Sequence, residues 1–214
     1  MKRTDTTIIA GIALMAAGAL FLLENLGFLG PLQNSIWALL FGAGGIVFLT
    51  TFWRDRTRWW ALIPGFTLLS LGALIGLQDV TPAFAGAWGG ALFLGGISMS
   101  FWALYLSCRR CWWALIPGGV LLTLAVVAGL SENVAGTQLG GVFFTGLALT
   151  FFLVYLAPTP AGHIRWAIYP AAVLLVMALL VMAAMGEAIN FFWPAAMILA
   201  GLYLAYRAFR LQHT

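Results

Sequence analysis

The chain predicts an all-α integral membrane fold of eight transmembrane helices. Three observations predict it: an extreme composition, a motif that returns at a fixed period, and charges sorted by side. Hydrophobic residues make up 63% of the 214 and charged residues 7%, against about 25% charged and 45–50% apolar in soluble domains. Mean hydropathy is +1.02. The motif Trp59-Trp60-Ala61-Leu62-Ile63-Pro64-Gly65 returns as Trp112-Trp113-Ala114-Leu115-Ile116-Pro117-Gly118, and in weaker form as Trp166-Ala167-Ile168-Tyr169-Pro170-Ala171, with 53 residues between successive prolines. A period of that size marks one supersecondary unit copied along the chain.

A helix needs about 20 apolar residues to cross the hydrocarbon layer. Eight segments qualify, at about 7–26, 34–53, 59–77, 84–106, 112–130, 137–156, 164–185 and 189–209. The first begins after Met1-Lys2-Arg3-Thr4-Asp5 and runs apolar to about Leu23. That is longer than a signal-peptide core, so it is read as a span. The spans pair into four hairpin repeats, about 7–53, 59–106, 112–156 and 164–209, within a single domain covering 1–214. Each hairpin turns at a stretch rich in Gly, Asn, Pro or an acid, residues that favour turns over helix interiors. Every copy holds two spans and enters from the same face, so the repeats are parallel. They are expected to close into a ring-like bundle or to lie side by side.

Charge fixes the orientation. With eight spans, all ten Lys and Arg residues fall on one side: Lys2, Arg3, Arg54, Arg56, Arg58, Arg109, Arg110, Arg165, Arg207 and Arg210. By the positive-inside rule that side is cytoplasmic, so the protein is expected in the cytoplasmic membrane with both termini in the cytoplasm. The net charge of +4 is therefore a topology signal, and no nucleic-acid partner is expected.

The first hairpin is a proline-free copy, with Ile9-Ala10-Gly11 on Ile63-Pro64-Gly65. The even-numbered spans share a small residue followed by large apolar ones, aligned as Gly45, Gly96, Gly146 and Gly201. Small residues let helix backbones approach, which matters where apolar burial gives little drive for association.

Four candidate features follow. The structural motif Trp59, Trp60, Pro64, Trp112, Trp113, Pro117, Trp166 and Pro170 reads as an interfacial anchor, since seven of the ten tryptophans lie near the cytoplasmic ends. Its alternative is a hinge: helix length places Pro64 in the second turn, where it would free the carbonyl of Trp60 and loosen the helix. Cys108 and Cys111 have the spacing of half a zinc site or a redox dithiol, and His163 falls on the same face. Without a second such pair, two reduced thiols are the preferred reading and no metal is assigned. Glu24, Asp79, Glu132 and Glu187 occupy the four outer turns, one per hairpin. A carboxylate ring at a channel mouth is one reading; solvated turns copied with the repeat are the preferred one.

No ionisable residue falls within the middle of a predicted span, whereas ion pathways and proton relays need such groups. The mid-span polar groups are hydroxyls, including Thr67, Ser70, Ser98, Thr123, Thr145 and Thr150, able to bond their own helix backbone. No catalytic triad, HExxH, phosphate-binding glycine loop or paired carboxylates are present. The expectation is no enzyme activity and no cofactor.

The two ends carry a resemblance. Ala10-Gly11-Ile12-Ala13-Leu14, Phe21-Leu22-Leu23-Glu24-Asn25-Leu26-Gly27 and Phe192-Trp193-Pro194-Ala195-Ala196-Met197-Ile198-Leu199-Ala200-Gly201-Leu202 resemble the halves of the helical-hairpin region of Lia-type envelope-stress membrane proteins. In that family an apolar helix ends in a Leu-Leu-acid-Asn-Leu-Gly turn and the return helix opens with Trp-Pro. The match covers the first helix and turn and the eighth helix. The second helix departs from it, keeping Trp37 but having Ala38 where the proline would stand. The resemblance implies a bacterial membrane protein of sensing, regulatory or structural kind that interacts with other membrane proteins. No soluble domain is attached, which departs from a sensor-inhibitor arrangement. The expected function is a non-enzymatic membrane scaffold or accessory protein with lipid and a membrane-protein partner or second copy as its contacts. The alternative is a channel or carrier for a small neutral or lipidic solute.

Overall fold

The computed structural model describes residues 33–108, 111–134, 136–157 and 164–183, together with the single positions 11, 14, 15, 18, 19, 21, 22, 26, 197 and 198. The first and eighth predicted spans therefore lie outside the described residues except at those positions. Among the described residues there are six long helices: α1 Gln33–Arg54, α2 Leu62–Val80, α3 Pro82–Ser107, α4 Leu115–Leu130, α5 Gly136–Leu156 and α6 Ile168–Ala183. With the short turns that precede α2, α4 and α6, all six are long and apolar enough to cross a membrane. The protein is a multi-pass membrane protein.

Sequence chemistry sets the ends of these helices. Thr81, the residue before Pro82, has φ −142° and ψ 73°, because a following proline disfavours the α region. Pro82 opens α3, where a missing N–H costs nothing. That single residue is the whole of the α2–α3 connection, so α2 runs on to Val80, past the predicted end at 77. At the opposite end of the helices, α2, α4 and α6 each begin after one 3₁₀ turn: Trp59–Ala61, Trp112–Ala114 and Arg165–Ala167.

Each helix packs chiefly on the one before it and the one after it in the chain. Among the described residues the order of packing is therefore the order of sequence. The closest approach is between α1 and α2. A Cβ added to Gly72 would lie 2.8 Å from the Ala38 carbonyl and 2.9 Å from the Gly42 nitrogen, and one on Gly45 would lie 2.8 Å from the Gly65 carbonyl. At the basic end, Phe52, Leu62 and Leu104 gather around the fully buried Ala61 and Ala114. Leu115, Val154 and Ala157 gather around the fully buried Ala167. Phe21, in the first predicted span, lies 4.9 Å from Trp37 of α1, ring centre to ring centre.

The alignment of small residues changes in the structure. Gly45 does not correspond to Gly96 and Gly146. Gly45 faces Gly65 of α2, and the residue that faces Gly118 in the same way is Ser98. Gly96 and Gly146 instead look back at Ser70 and Thr123 of the preceding helix. These helices carry two packing faces, and small residues serve both.

Candidate functional site

The repeated motif builds one local geometry three times. In each copy α-helix starts two residues before the proline, at Leu62, Leu115 and Ile168. Pro64, Pro117 and Pro170 therefore sit third in the first turn rather than in the second turn. There a backbone N–H has no intrahelical partner to lose. The carbonyl four residues back, on Trp60, Trp113 or Trp166, does lose its usual donor. It is reached instead by the N–H of Leu62, Leu115 or Ile168, shared with the preceding carbonyl. The prolines therefore remove no intrahelical bond of their own, and the turn before each of them is 3₁₀.

Aromatic packing repeats with it. Phe48–Trp60, Phe101–Trp113 and Phe151–Trp166 are edge-on pairs with centroids 6.1, 6.3 and 6.3 Å apart, a favoured aromatic geometry. Trp59 meets Trp113 edge-on at 6.3 Å, which brings the first two copies of the motif into contact. Trp112 packs against the cluster around Ala167, tying the second copy to the third.

Just before the 3₁₀ turns, two connections share a backbone and differ in side chains. The N–H of Arg58 donates to the Asp55 carbonyl at 3.1 Å, and the N–H of Cys111 to the Cys108 carbonyl at 2.8 Å. In the first connection Asp55 accepts from the Thr57 N–H at 3.0 Å, the Thr57 hydroxyl at 2.6 Å and Arg58 Nε at 3.2 Å. Thr57, first through its hydroxyl and then through its backbone, holds the Asp55 carboxyl below its ordinary value, with Arg58 adding to the effect. Arg56 lies over Phe52 and Trp53, 4.7 and 5.4 Å from their ring centres.

In the second connection neither Cys108 nor Cys111 is in a disulfide. Burial, and then the neighbouring Cys108 thiol, push Cys111 up from 9.0 to about 11. A thiol that acts as a nucleophile carries the opposite shift. His163, the candidate third ligand, lies outside the described residues, as do Arg109 and Arg110. Among the described residues no three His, Cys, Asp or Glu side chains come together.

The acids divide. Glu24 and Glu187 lie outside the described residues, and Glu132 is exposed in the turn after α4. Asp79 stands in the last turn of α2 rather than in a loop, and it has partners. Asn34 Nδ2 donates to its Oδ1 at 2.7 Å and the Ser35 hydroxyl to its Oδ2 at 3.3 Å. Asn34 and Ser35 open α1, where unpaired backbone donors also favour a carboxylate. Sequence reading missed these two residues; the signal was a polar pair at the predicted start of a span.

Every mid-span hydroxyl named from the sequence donates to a backbone carbonyl. Thr67, Ser70, Thr123, Thr145 and Thr150 bond the carbonyl four residues back in their own helix. Ser98 is the exception, crossing from α3 to the Gly118 carbonyl of α4 at 2.7 Å. Cavities along the joints of the described helices include one of about 640 Å³ between Leu130, Gln138, Gly141 and Met182, one of about 400 Å³ between Phe152, Ala148, Ala171 and Leu175, and one of about 160 Å³ between Trp102, Leu122 and Leu153. No family model, curated protein or solved structure matches the chain.

Proposed function

We propose that the protein is a non-enzymatic scaffold or accessory protein of the bacterial cytoplasmic membrane, built as four tandem hairpins with both termini in the cytoplasm. The observation that carries this reading is the engagement of the mid-span hydroxyls: each is already bonded to a backbone carbonyl. A hydroxyl whose proton is taken by a backbone carbonyl is not offered as a donor to a permeating solute. The carrier alternative draws on those same hydroxyls and is the weaker reading for that reason. The orientation rests on the sorting of Lys and Arg. The tie to envelope maintenance rests on the resemblance of the two ends to the Lia-type hairpin.

An accessory protein needs a partner, and the test is affinity purification from native membranes in mild detergent. A second membrane protein recovered at constant ratio in repeated preparations is the expected result. Recovery of this chain alone, preparation after preparation, would sink the accessory reading.

A further inference from the structure

The two cysteines of the chain are held together by its backbone. Cys108 closes α3 and Cys111 opens the 3₁₀ turn Trp112–Ala114, and the Cys111 N–H donates to the Cys108 carbonyl at 2.8 Å. A bond of that span sets the Cα atoms at its two ends within about 7 Å of each other. Disulfides bridge Cα atoms roughly 4.4–6.8 Å apart, so the backbone already supplies the separation. The side chains converge as well. Cys111 belongs to the buried cluster around Ala61 and Ala114, Cys108 packs against that cluster, and the two thiols are hydrogen-bonded to each other.

The first copy of the repeat shows what these two positions can do. Asp55 and Arg58 precede Cys108 and Cys111 by one period of 53 residues. They make the same backbone bond at 3.1 Å, and their side chains join across it at 3.2 Å. The first connection is thus tied by charge, and the second carries two thiols at the positions of that tie. One period further on, the same positions are Ala161 and Ile164, which can form neither.

Access orders the two thiols. Cys108 is half-buried and Cys111 is buried, so a disulfide in solution meets Cys108 first. Cys111, with its thiol pushed up to about 11, is a poor nucleophile towards anything dissolved. Towards a sulfur held beside it the attack is intramolecular, and proximity replaces activation.

We propose that Cys108 and Cys111 are an oxidisable pair that closes to an intramolecular disulfide by exchange with a low-molecular-weight disulfide. Cys108 Sγ gives up its proton and attacks one sulfur of that disulfide, whose S–S bond breaks; one thiol leaves as thiolate and takes up a proton. Cys111 Sγ then loses its proton, bonds to Cys108 Sγ and expels the second thiol in the same way. One external disulfide is reduced to two thiols as the two cysteines are oxidised to one disulfide. The proposal goes beyond the accessory reading and does not rest on it.

The test incubates the full chain, reduced and purified in detergent, with glutathione disulfide until the products are constant. After acid quenching and denaturation the remaining thiols are alkylated and counted by intact mass, with only two cysteines to count. The wild type is expected to lose both alkylation sites and to carry no glutathione. Cys111→Ser stops with one glutathione on Cys108, and Cys108→Ser keeps its one alkylation site. A wild type that keeps a thiol, retains glutathione or links two copies of the chain would overturn the proposal, as would glutathione on Cys111 in Cys108→Ser. The wild-type result needs no variant to fold, and partner recovery in the purification above is read independently of it.

Discussion

At the α1–α2 joint Gly72 meets only backbone; at the α4–α5 joint Gly119 and Gly146 meet threonine side chains. Gly72 stands against the main chain of Ala38 and Gly42. Gly119 and Gly146 are holes that receive Thr150 and Thr123, and the two threonines fit reciprocally, each into the other helix. In lipid, close approach and interhelical hydrogen bonds replace the hydrophobic drive. The first joint uses approach to the limit and adds the Asn34, Ser35 and Asp79 bonds at its far end. The second seats threonine side chains in its glycine positions, and a cavity opens along it. The difference teaches that glycine in a membrane helix has two uses, only one of which tolerates compensation.

The sharpest break comes from filling the first joint. Gly72→Leu must push the two helix backbones apart, at a cost of about 3 kcal/mol or more, and is expected to leave no monodisperse protein after gentle heating in detergent. A wild-type melting profile for that variant would mean the helices are not in backbone contact. A smaller effect is expected at the α3–α4 joint. Ser98→Ala removes the bond to the Gly118 carbonyl, worth about 0.6 kcal/mol on the average for such bonds in membranes. It shifts the melting profile slightly without changing its shape; loss of the fold would show that Ser98 holds more than this bond.

The smallest effect is the clamp on the first connection. Asp55 titrates below the ordinary aspartate value of 3.8, so its bonds stabilise the fold above that value. The contribution is lost as pH falls through the lowered folded-state value. Because Asp55 is exposed, Asp55→Asn is expected to melt marginally below the wild type at pH 7. The gap closes at acid pH. A gap that widens on acidification would contradict the assignment.

Much of this architecture was legible in the sequence. Long apolar runs and the recurring Trp-Trp-Ala-Leu-Ile-Pro-Gly motif mark the six described spans and three of their beginnings, since length and composition suffice for both. The face on which each small residue packs was not legible. Twelve residues separate Phe48 from Trp60 and Phe101 from Trp113, but fifteen separate Phe151 from Trp166. The longer third connection shifts the register of the last copy, whereas Ser98 lies 53 residues after Gly45 and Gly96 only 51, so the period itself points to Ser98 and aligning the spans on a shared glycine hid it. The prolines read as second-turn residues because counting helix length back to Trp59 ignored the 3₁₀ turn before each helix. Asp79 read as a loop acid because nothing local reveals that Asn34 and Ser35, 45 and 44 residues away, open the neighbouring helix at the same height.

The most direct test of the distinction between the two joints is a pair of rescue experiments read as detergent melting profiles. Gly146→Ala brings a methyl to 2.5 Å from Thr123 Oγ1 and Cγ2, but only to 3.0 Å from its Cβ. Adding Thr123→Ala to it should recover stability relative to Gly146→Ala alone. Gly72→Ala meets main-chain atoms of Ala38 and Gly42, so adding Ala38→Gly should recover nothing. Rescue at the first pair and none at the second is the predicted outcome. Rescue at both, or at neither, would contradict it.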